Sequence, residues 1–429
     1  MSDRERVDLP RSPRPETTWL IEIEDLDAEG WGVGYMPAAV GPQDEPKTFE
    51  FVVRKALPGD VVEVEVERRS GERIEARLLE WRETSDDRVE PRCRHFGRRE
   101  LPREGCGGCT LQSLAYEHQL ESKRDDVRRA MDESGVAPDR VEPTVGLDSP
   151  WYYRNKMEFS FGDTADREFA LGLHPRGYRY EIVNLDECYL ESPFVSAFLP
   201  RVRDWAIEHG LQPYLNSTDE GFLRTLTVRE GKRTGDRLVE LTTTHDERAA
   251  FDGGTASAGE IAEAFDDFVE RISDELGGDV TSVYWTQKRT VEGKPTRHVE
   301  HHLSGAEAIR EQLHLPGGQE LMFEVAPRAF FQPNTEGAEA LYGEVLERAG
   351  LESGDAGSVL DLYCGTGTIA LAMAPYADRV AGIEERTDAV DNARANAERN
   401  GLDNARFTAG RVGEVLADPP DGFDVGSPD

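Results

Sequence analysis

The chain has 429 residues and a formal net charge of −35, from 85 Asp plus Glu against 50 Lys plus Arg. That length holds two to four domains, no apolar run reaches the ~18 residues of a membrane span, and the charged, Pro-rich start "MSDRERVDLPRSPRPETTW" is no secretory leader. The acid is spread through every segment, a surface that suits molar salt, where the Debye length falls to about 3 Å; a halophilic, cytoplasmic, monomeric protein with no membrane partner is expected.

Residues 1–16 read as a disordered leader. From 17 to 81, "TTWLIEIEDL", "EFVVRKAL" and "DVVEVEVERR" alternate or run apolar between the turns "AEGWGVGY" and "LPGD", the pattern of a small closed β-barrel. Residues 82–320 form a central α+β region. It opens on a loop with three cysteines at 88–112, followed by a helix predicted over 113–133. Strands such as "YRNKMEFSFG", "LRTLTVRE", "RLVELTTT" and "TSVYWTQ" come next. The acidic, Gly/Ala-rich "AAFDGGTASAGEIAEAFDD" is predicted to be a surface insertion. From 321 to 429 strands and helices alternate, as in a doubly wound sheet. The fold class is therefore α/β and multidomain.

"VLDLYCGTGTIALA" places Gly365 and Gly367 in a strand-to-helix turn, where glycine lets a ligand approach the backbone. Glu384 ends the next strand, 17 residues after Gly367, where an acid can accept hydrogen bonds from ribose hydroxyls. NAD and S-adenosylmethionine (SAM) both suit this pattern. Cys93, Cys106, Cys109 and Cys188 can supply four sulfur ligands, and the spacing alone fits zinc and an iron–sulfur cluster equally. Cys364, beside the glycine turn, reads as a packing thiol.

"FFQPN" followed by "DLYCGTGT" and "GIE" resembles the RNA uracil-C5 methyltransferase family, and "EGWGVGYMP" with "FEFVVRKALPGDVVEVEV" resembles the RNA-binding TRAM barrel. The resemblance covers about residues 17–425. It implies a Rossmann-like class I methyltransferase fold at the C-terminus, with SAM contacted by Gln332, Tyr363 and Glu384 beside Gly365 and Gly367. It also implies a [4Fe–4S] cluster on Cys93, Cys106, Cys109 and Cys188, although the gap from Cys93 to Cys106 exceeds the family's usual one. The implied substrate is RNA, 23S rRNA first and tRNA uracil-54 second. Arg92, Arg94, Arg98, Arg99, Arg103, Arg154, Lys156 and Arg224 are candidate phosphate contacts, and Tyr152, Tyr153 and Phe159 candidate stacking platforms.

Such enzymes add a cysteine thiolate to uracil C6, so that C5 can take the methyl of SAM, and a Glu base then removes the C5 proton. Neither the family's late Cys motif nor its C-terminal Glu is found. Asp418-Pro419-Pro420 precedes "GFDV", the usual start of the fourth strand, and so reads as a decoy of the family's D-P-P motif. The catalytic Cys and Glu are expected beyond residue 429, and the 429 residues are expected to be inactive alone. The reading from another class is a catalytically inactive RNA-binding protein.

Overall fold

The computed structural model describes residues 10–40, 45–97, 105–251, 257–275, 280–290, 293–351 and 357–417. The chain divides into two compact units, Met1–Gly146 and Leu147–Asp429. Among the described residues, no helix is long and apolar enough to cross a membrane.

The first unit is built on β1 (Thr18–Glu22), β2 (Asp25–Leu26), β3 (Gly32–Val40), β4 (Glu45–Val53), β5 (Val61–Ser70) and β6 (Arg73–Glu83), in the order β1-β5-β6-β4-β3-β2. Period-two patterning explains why these segments form one sheet around a core. In β5, Val62, Val64 and Val66 are buried with Ile21, Phe49, Phe51 and Ile74, while Glu63 and Glu65 face out to Arg82 and Arg77. The fully buried Asp60 fixes the "LPGD" turn: its Oδ2 accepts from the Leu57 N–H at 2.7 Å and its Oδ1 from the Ser85 N–H at 2.8 Å. Helix α1 (Tyr116–Glu133) follows the cysteine loop and, having no buried residue, lies on the surface.

The second unit begins with β7 (Lys156–Asp163), β8 (Phe169–Leu173), β9 (Val183–Asn184), α2 (Pro193–Glu208), β10 (Leu223–Glu230), β11 (Arg237–Thr244), α3 (Ala258–Glu275), β12 (Ser282–Arg289) and β13 (Arg297–Gly305). Its sheet order is β13-β12-β11-β10-β7-β8-β9, antiparallel except for the parallel pair β11–β12. Helix α3 is the crossover that a parallel pair requires. Its Ile261, Ala264, Phe265, Phe268 and Ile272 are buried, with Phe268 4.7 Å from Trp205 and Phe265 4.7 Å from Trp285. The predicted surface insertion is corrected here: composition hid an apolar stripe at helical spacing. The opposite face of the sheet is polar, with Glu158, Thr225, Thr227, Arg229, Glu240, Thr242 and Lys288 alternating against the buried Phe159, Leu226, Val228 and Leu241. In the segment joining β9 to α2, Glu191 is fully buried beside Glu230, and neither of its carboxyl oxygens has a hydrogen-bond partner among the described residues. Burial and the Glu230 charge hold the Glu191 carboxyl well above the usual range.

The hairpin β14 (Ile309–Leu315) and β15 (Gln319–Val325) leads through α4 (Thr335–Arg348) into β16 (Ser358–Leu362), α5 (Thr368–Met373), β17 (Arg379–Glu384), α6 (Thr387–Arg399), β18 (Ala405–Ala409) and α7 (Val412–Val415). Strands β16, β17 and β18 form a parallel sheet in that order, as the βαβ pattern requires. The open edge of β15 is satisfied by amides of the α6 segment. The Met322 N–H donates to Asn400 Oδ1 and Asn400 Nδ2 returns a bond to the Met322 carbonyl, both at 2.7 Å.

Candidate functional site

The glycine turn is shaped by three positive φ angles within five residues: Tyr363 at 62°, Gly365 at 56° and Gly367 at 78°. The two glycines are needed for different reasons. A Cβ on Gly367 would lie 2.8 Å from the Phe407 ring and 2.9 Å from Ala393 Cβ, so the position is packed shut. A Cβ on Gly365 would meet nothing within 4 Å, so the backbone there is open to a ligand. Tyr363 holds a conformation that costs a side-chain-bearing residue about 1–2 kcal/mol, and it is 75% exposed at the mouth of the turn.

Glu384 ends β17 directly across from this turn. Its Oε2 accepts from the Gly365 N–H at 3.2 Å and its Oε1 from the Arg386 N–H at 3.0 Å. Beneath the turn, Asp361 Oδ2 accepts from the Ala370 N–H at 3.1 Å, and burial raises that carboxyl. Cys364 is buried in the core behind the loop. Burial, with Asp361 and Glu384 nearby, pushes its thiol up to about 12. A thiol so far from ionising is no nucleophile near neutral pH, which agrees with a packing role.

The "FFQPN" loop is brought to this turn by one hydrogen bond, Thr366 Oγ1 to the Phe330 carbonyl at 3.3 Å. Phe331 is buried against Phe323, with ring centroids 5.7 Å apart, while Phe330 is 65% exposed. Asn334 caps α4 by accepting from the Gly337 N–H at 2.9 Å. Gln332 is half-buried, and its carbonyl accepts from Asn155 Nδ2 at 2.8 Å. The Asn155 N–H also donates to the Pro333 carbonyl at 2.8 Å, and Arg229 Nη2 donates to the Ala329 carbonyl at 2.6 Å. Arg229 is buried deeply enough to lower it to about 10. Asn155 and Arg229 thus hold the loop, and sequence reasoning passed over both. The signal was an Asn between two cations in "YRNKMEFSF", and an Arg at the inward end of an apolar strand.

The cysteines divide between the two units. In the first, the Cys106 N–H donates to the His95 carbonyl at 2.7 Å, and Phe96 bridges to Gly105 and Cys106, so the segments around Cys93 and Cys106 run side by side. The Gly108 N–H points at Cys106 Sγ at 3.3 Å, a contact that stabilises a thiolate. Cys93 is buried, and Cys106 and Cys109 are half-buried. In the second unit Cys188 is buried, and its N–H donates to Ser196 Oγ at 2.9 Å. Among the described residues no group of three or more His, Cys, Asp or Glu side chains is placed to hold a metal ion.

Of the expected stacking platforms, Phe159 is fully buried and is corrected to a core residue. The inward position of its strand put it there. Tyr152 packs on Tyr189 with centroids 5.8 Å apart. Arg154 has its Nε buried, and Lys156 is lowered by burial and by Arg229. Arg98, Arg99 and Arg103 lie outside the described residues, as does Asp418-Pro419-Pro420.

A family model described as a methyltransferase domain matches residues 353–426. An uncharacterized RNA methyltransferase of Protochlamydia amoebophila is 36% identical over 372 residues, 84% of this chain and 79% of the relative. Another, of Caldanaerobacter subterraneus subsp. tengcongensis, is 34% identical over 397 residues, 92% of this chain and 80% of the relative. Among solved structures, the Pyrococcus abyssi tRNA (uracil-54, C5)-methyltransferase in complex with S-adenosyl-L-homocysteine (SAH) is similar, with a TM-score of 0.64 and 26% identity over 91% of this chain and 79% of that one.

Proposed function

This chain belongs to the RNA methyltransferase family, and on that premise we propose that it binds SAM at the Gly365–Glu384 turn and serves methylation of uracil C5 in RNA. The observation that carries the cofactor assignment is the Glu384 carboxylate, hydrogen-bonded to the backbone N–H of a glycine whose missing side chain leaves open space. When bound, SAM supplies an electrophilic methyl group. Glu384 would accept hydrogen bonds from the ribose hydroxyls, and Gly365 would admit the ligand to the backbone. Tyr363 would line the mouth of the site with Gln332, and Asn155 and Arg229 would keep the Gln332 loop in place. The thiolate that adds to C6 and the base that removes the C5 proton are not assigned to residues of this sequence. Cys364 is too weakly acidic for the first task.

Cys93, Cys106, Cys109 and Cys188 would hold a [4Fe–4S] cluster, and the six-stranded N-terminal sheet would serve as a TRAM-type RNA-binding barrel. Protein purified without oxygen is expected to be brown, with about four irons per chain. Colourless protein with one zinc would replace the cluster with a zinc site. The acidic surface supports a protein that works in a high-salt cytoplasm.

For the substrate, 23S rRNA is one reading. The likeness to a tRNA (uracil-54, C5)-methyltransferase favours tRNA as the other. Deletion of the gene, followed by mass spectrometry of 5-methyluridine in purified 23S rRNA and tRNA, tests both. Loss in one pool names the substrate. Unchanged 5-methyluridine in both would refute the activity.

A further inference from the structure

The polar face of the seven-stranded sheet ends in a cavity of about 240 Å³ lined by Glu158, Tyr214, Asn216, Arg224, Lys288 and His298. A larger hollow of about 1120 Å³ adjoins it and shares Tyr214, Arg224 and Lys288. Strand register builds the cavity wall: Thr244 pairs with Lys288, and Lys288 with His298. The Arg224 guanidinium stacks 3.8 Å from the centroid of the Tyr214 ring, and Asp219 Oδ1 orients that ring by accepting from its hydroxyl at 2.8 Å.

The charges here differ from most of those around them. Several cations elsewhere in this unit meet acids: Arg237 with Glu230, Arg310 with Asp236, Arg271 with Asp267, and Arg399 with Glu324. Arg224 and Lys288 have no carboxylate within 4.0 Å among the described residues, in a chain of 85 acids and 50 bases. Burial and Arg224 push the Lys288 ammonium below its usual range, with Glu158 as the opposing charge. Burial, Arg328 and Lys288 do the same to His298. Like charges are thus held together at a half-buried site that an anion would relieve.

The cavity also has a fixed relation to the cofactor loop. Ser160 and Thr225 lie beside it, and four residues along the same two strands come Lys156 and Arg229, the latter holding Ala329. That separation is roughly 13 Å at ~3.3 Å per residue. A cavity set off from the cofactor loop in this way suits a neighbouring nucleotide.

We propose that this cavity binds a phosphodiester and its adjoining base in single-stranded RNA beside the nucleotide to be methylated, with Arg224 and Lys288 on the phosphate and the Tyr214–Arg224 stack under the base. The proposal rests on the RNA methyltransferase reading above. It is tested by fluorescence anisotropy with a labelled oligouridylate and with inorganic polyphosphate of matched charge, while SAH binding is followed by calorimetry. Arg224→Gln and Lys288→Gln should each weaken oligouridylate binding at least fivefold. Together they should reduce the slope of log affinity against log salt by about 0.7, one phosphate contact on a single strand. Tyr214→Ala should weaken oligouridylate and spare polyphosphate, because stacking needs a base. Arg271→Gln, whose charge already meets Asp267 and Glu208, should change nothing. Oligouridylate affinity unaltered in the double variant overturns the proposal, and so does equal sensitivity of the two probes to Tyr214→Ala. A parent protein that binds oligouridylate without binding SAH refutes the cofactor reading and leaves the cavity assignment standing.

Discussion

Alanine at Gly365 and alanine at Gly367 should do different things. Both residues have positive φ, so each substitution carries about 1–2 kcal/mol of backbone strain. Gly367→Ala adds a Cβ only 2.8 Å from the Phe407 ring and 2.9 Å from Ala393. Overpacking of that kind typically costs about 1–3 kcal/mol more. The expected totals are about 1–2 kcal/mol for Gly365→Ala and about 2–5 kcal/mol for Gly367→Ala. Urea unfolding followed by circular dichroism reads the stability, and SAH calorimetry reads the site. Gly365→Ala should remain folded and lose at least tenfold in SAH affinity, since its new methyl projects into the space assigned to the ligand. Equal destabilisation by the two substitutions would refute the packing argument. Parental SAH affinity in Gly365→Ala would place the cofactor elsewhere.

Glu384→Ala should weaken SAH binding by about 1.5–3 kcal/mol, the usual contribution of a hydrogen bond to a charged group; equal binding in calorimetry would count against the assignment. Glu191→Gln should stabilise the protein in a pH-dependent way. A buried carboxyl whose folded pKa is raised binds its proton more tightly folded than unfolded, so stability falls as pH climbs above the unfolded value of about 4.3. The advantage of the Gln variant should therefore grow by about 1.4 kcal/mol per pH unit above that value, up to the folded pKa. A difference in urea midpoints that does not move between pH 5 and pH 7 would remove Glu191 as the source. The Cys364 thiol should resist a thiol-directed disulfide reagent at pH 8 in peptide mapping, because its ionisation lies near 12; rapid labelling of native protein would contradict its burial.

The glycine turn and its acid were legible in the sequence because their spacing is set by covalent geometry: one strand, one turn, one helix, one strand. Gly365 and Glu384 had to meet once β16 and β17 paired, and they do at 3.2 Å. Asn155 and Arg229 were not legible. Each acts on a carbonyl about 100 residues or more away, and no local pattern encodes which carbonyl that is. Phe159 was misjudged because aromaticity was weighed before strand phase: it alternates with the outward Glu158 and Ser160, and phase alone placed it inside. In α3 the glycines and acids of the preceding segment masked Ile261, Phe265, Phe268 and Ile272, whose spacing of three and four residues was the better guide.

That helix also fixes the direction in which the chain can be read across the sheet. Because β11 and β12 are parallel, Lys288 stands opposite Thr244, at the same end as Arg224. A tight turn can only send a strand back antiparallel. Excising α3 and joining Thr244 to Ser282 by such a turn would therefore reverse β12. Lys288 would then sit opposite Leu238, at the far end of the sheet from Arg224. No described side chain of α3 lines the cavity, yet shortening the chain there would dismantle the cation pair by reversing strand polarity, without altering a single residue of it.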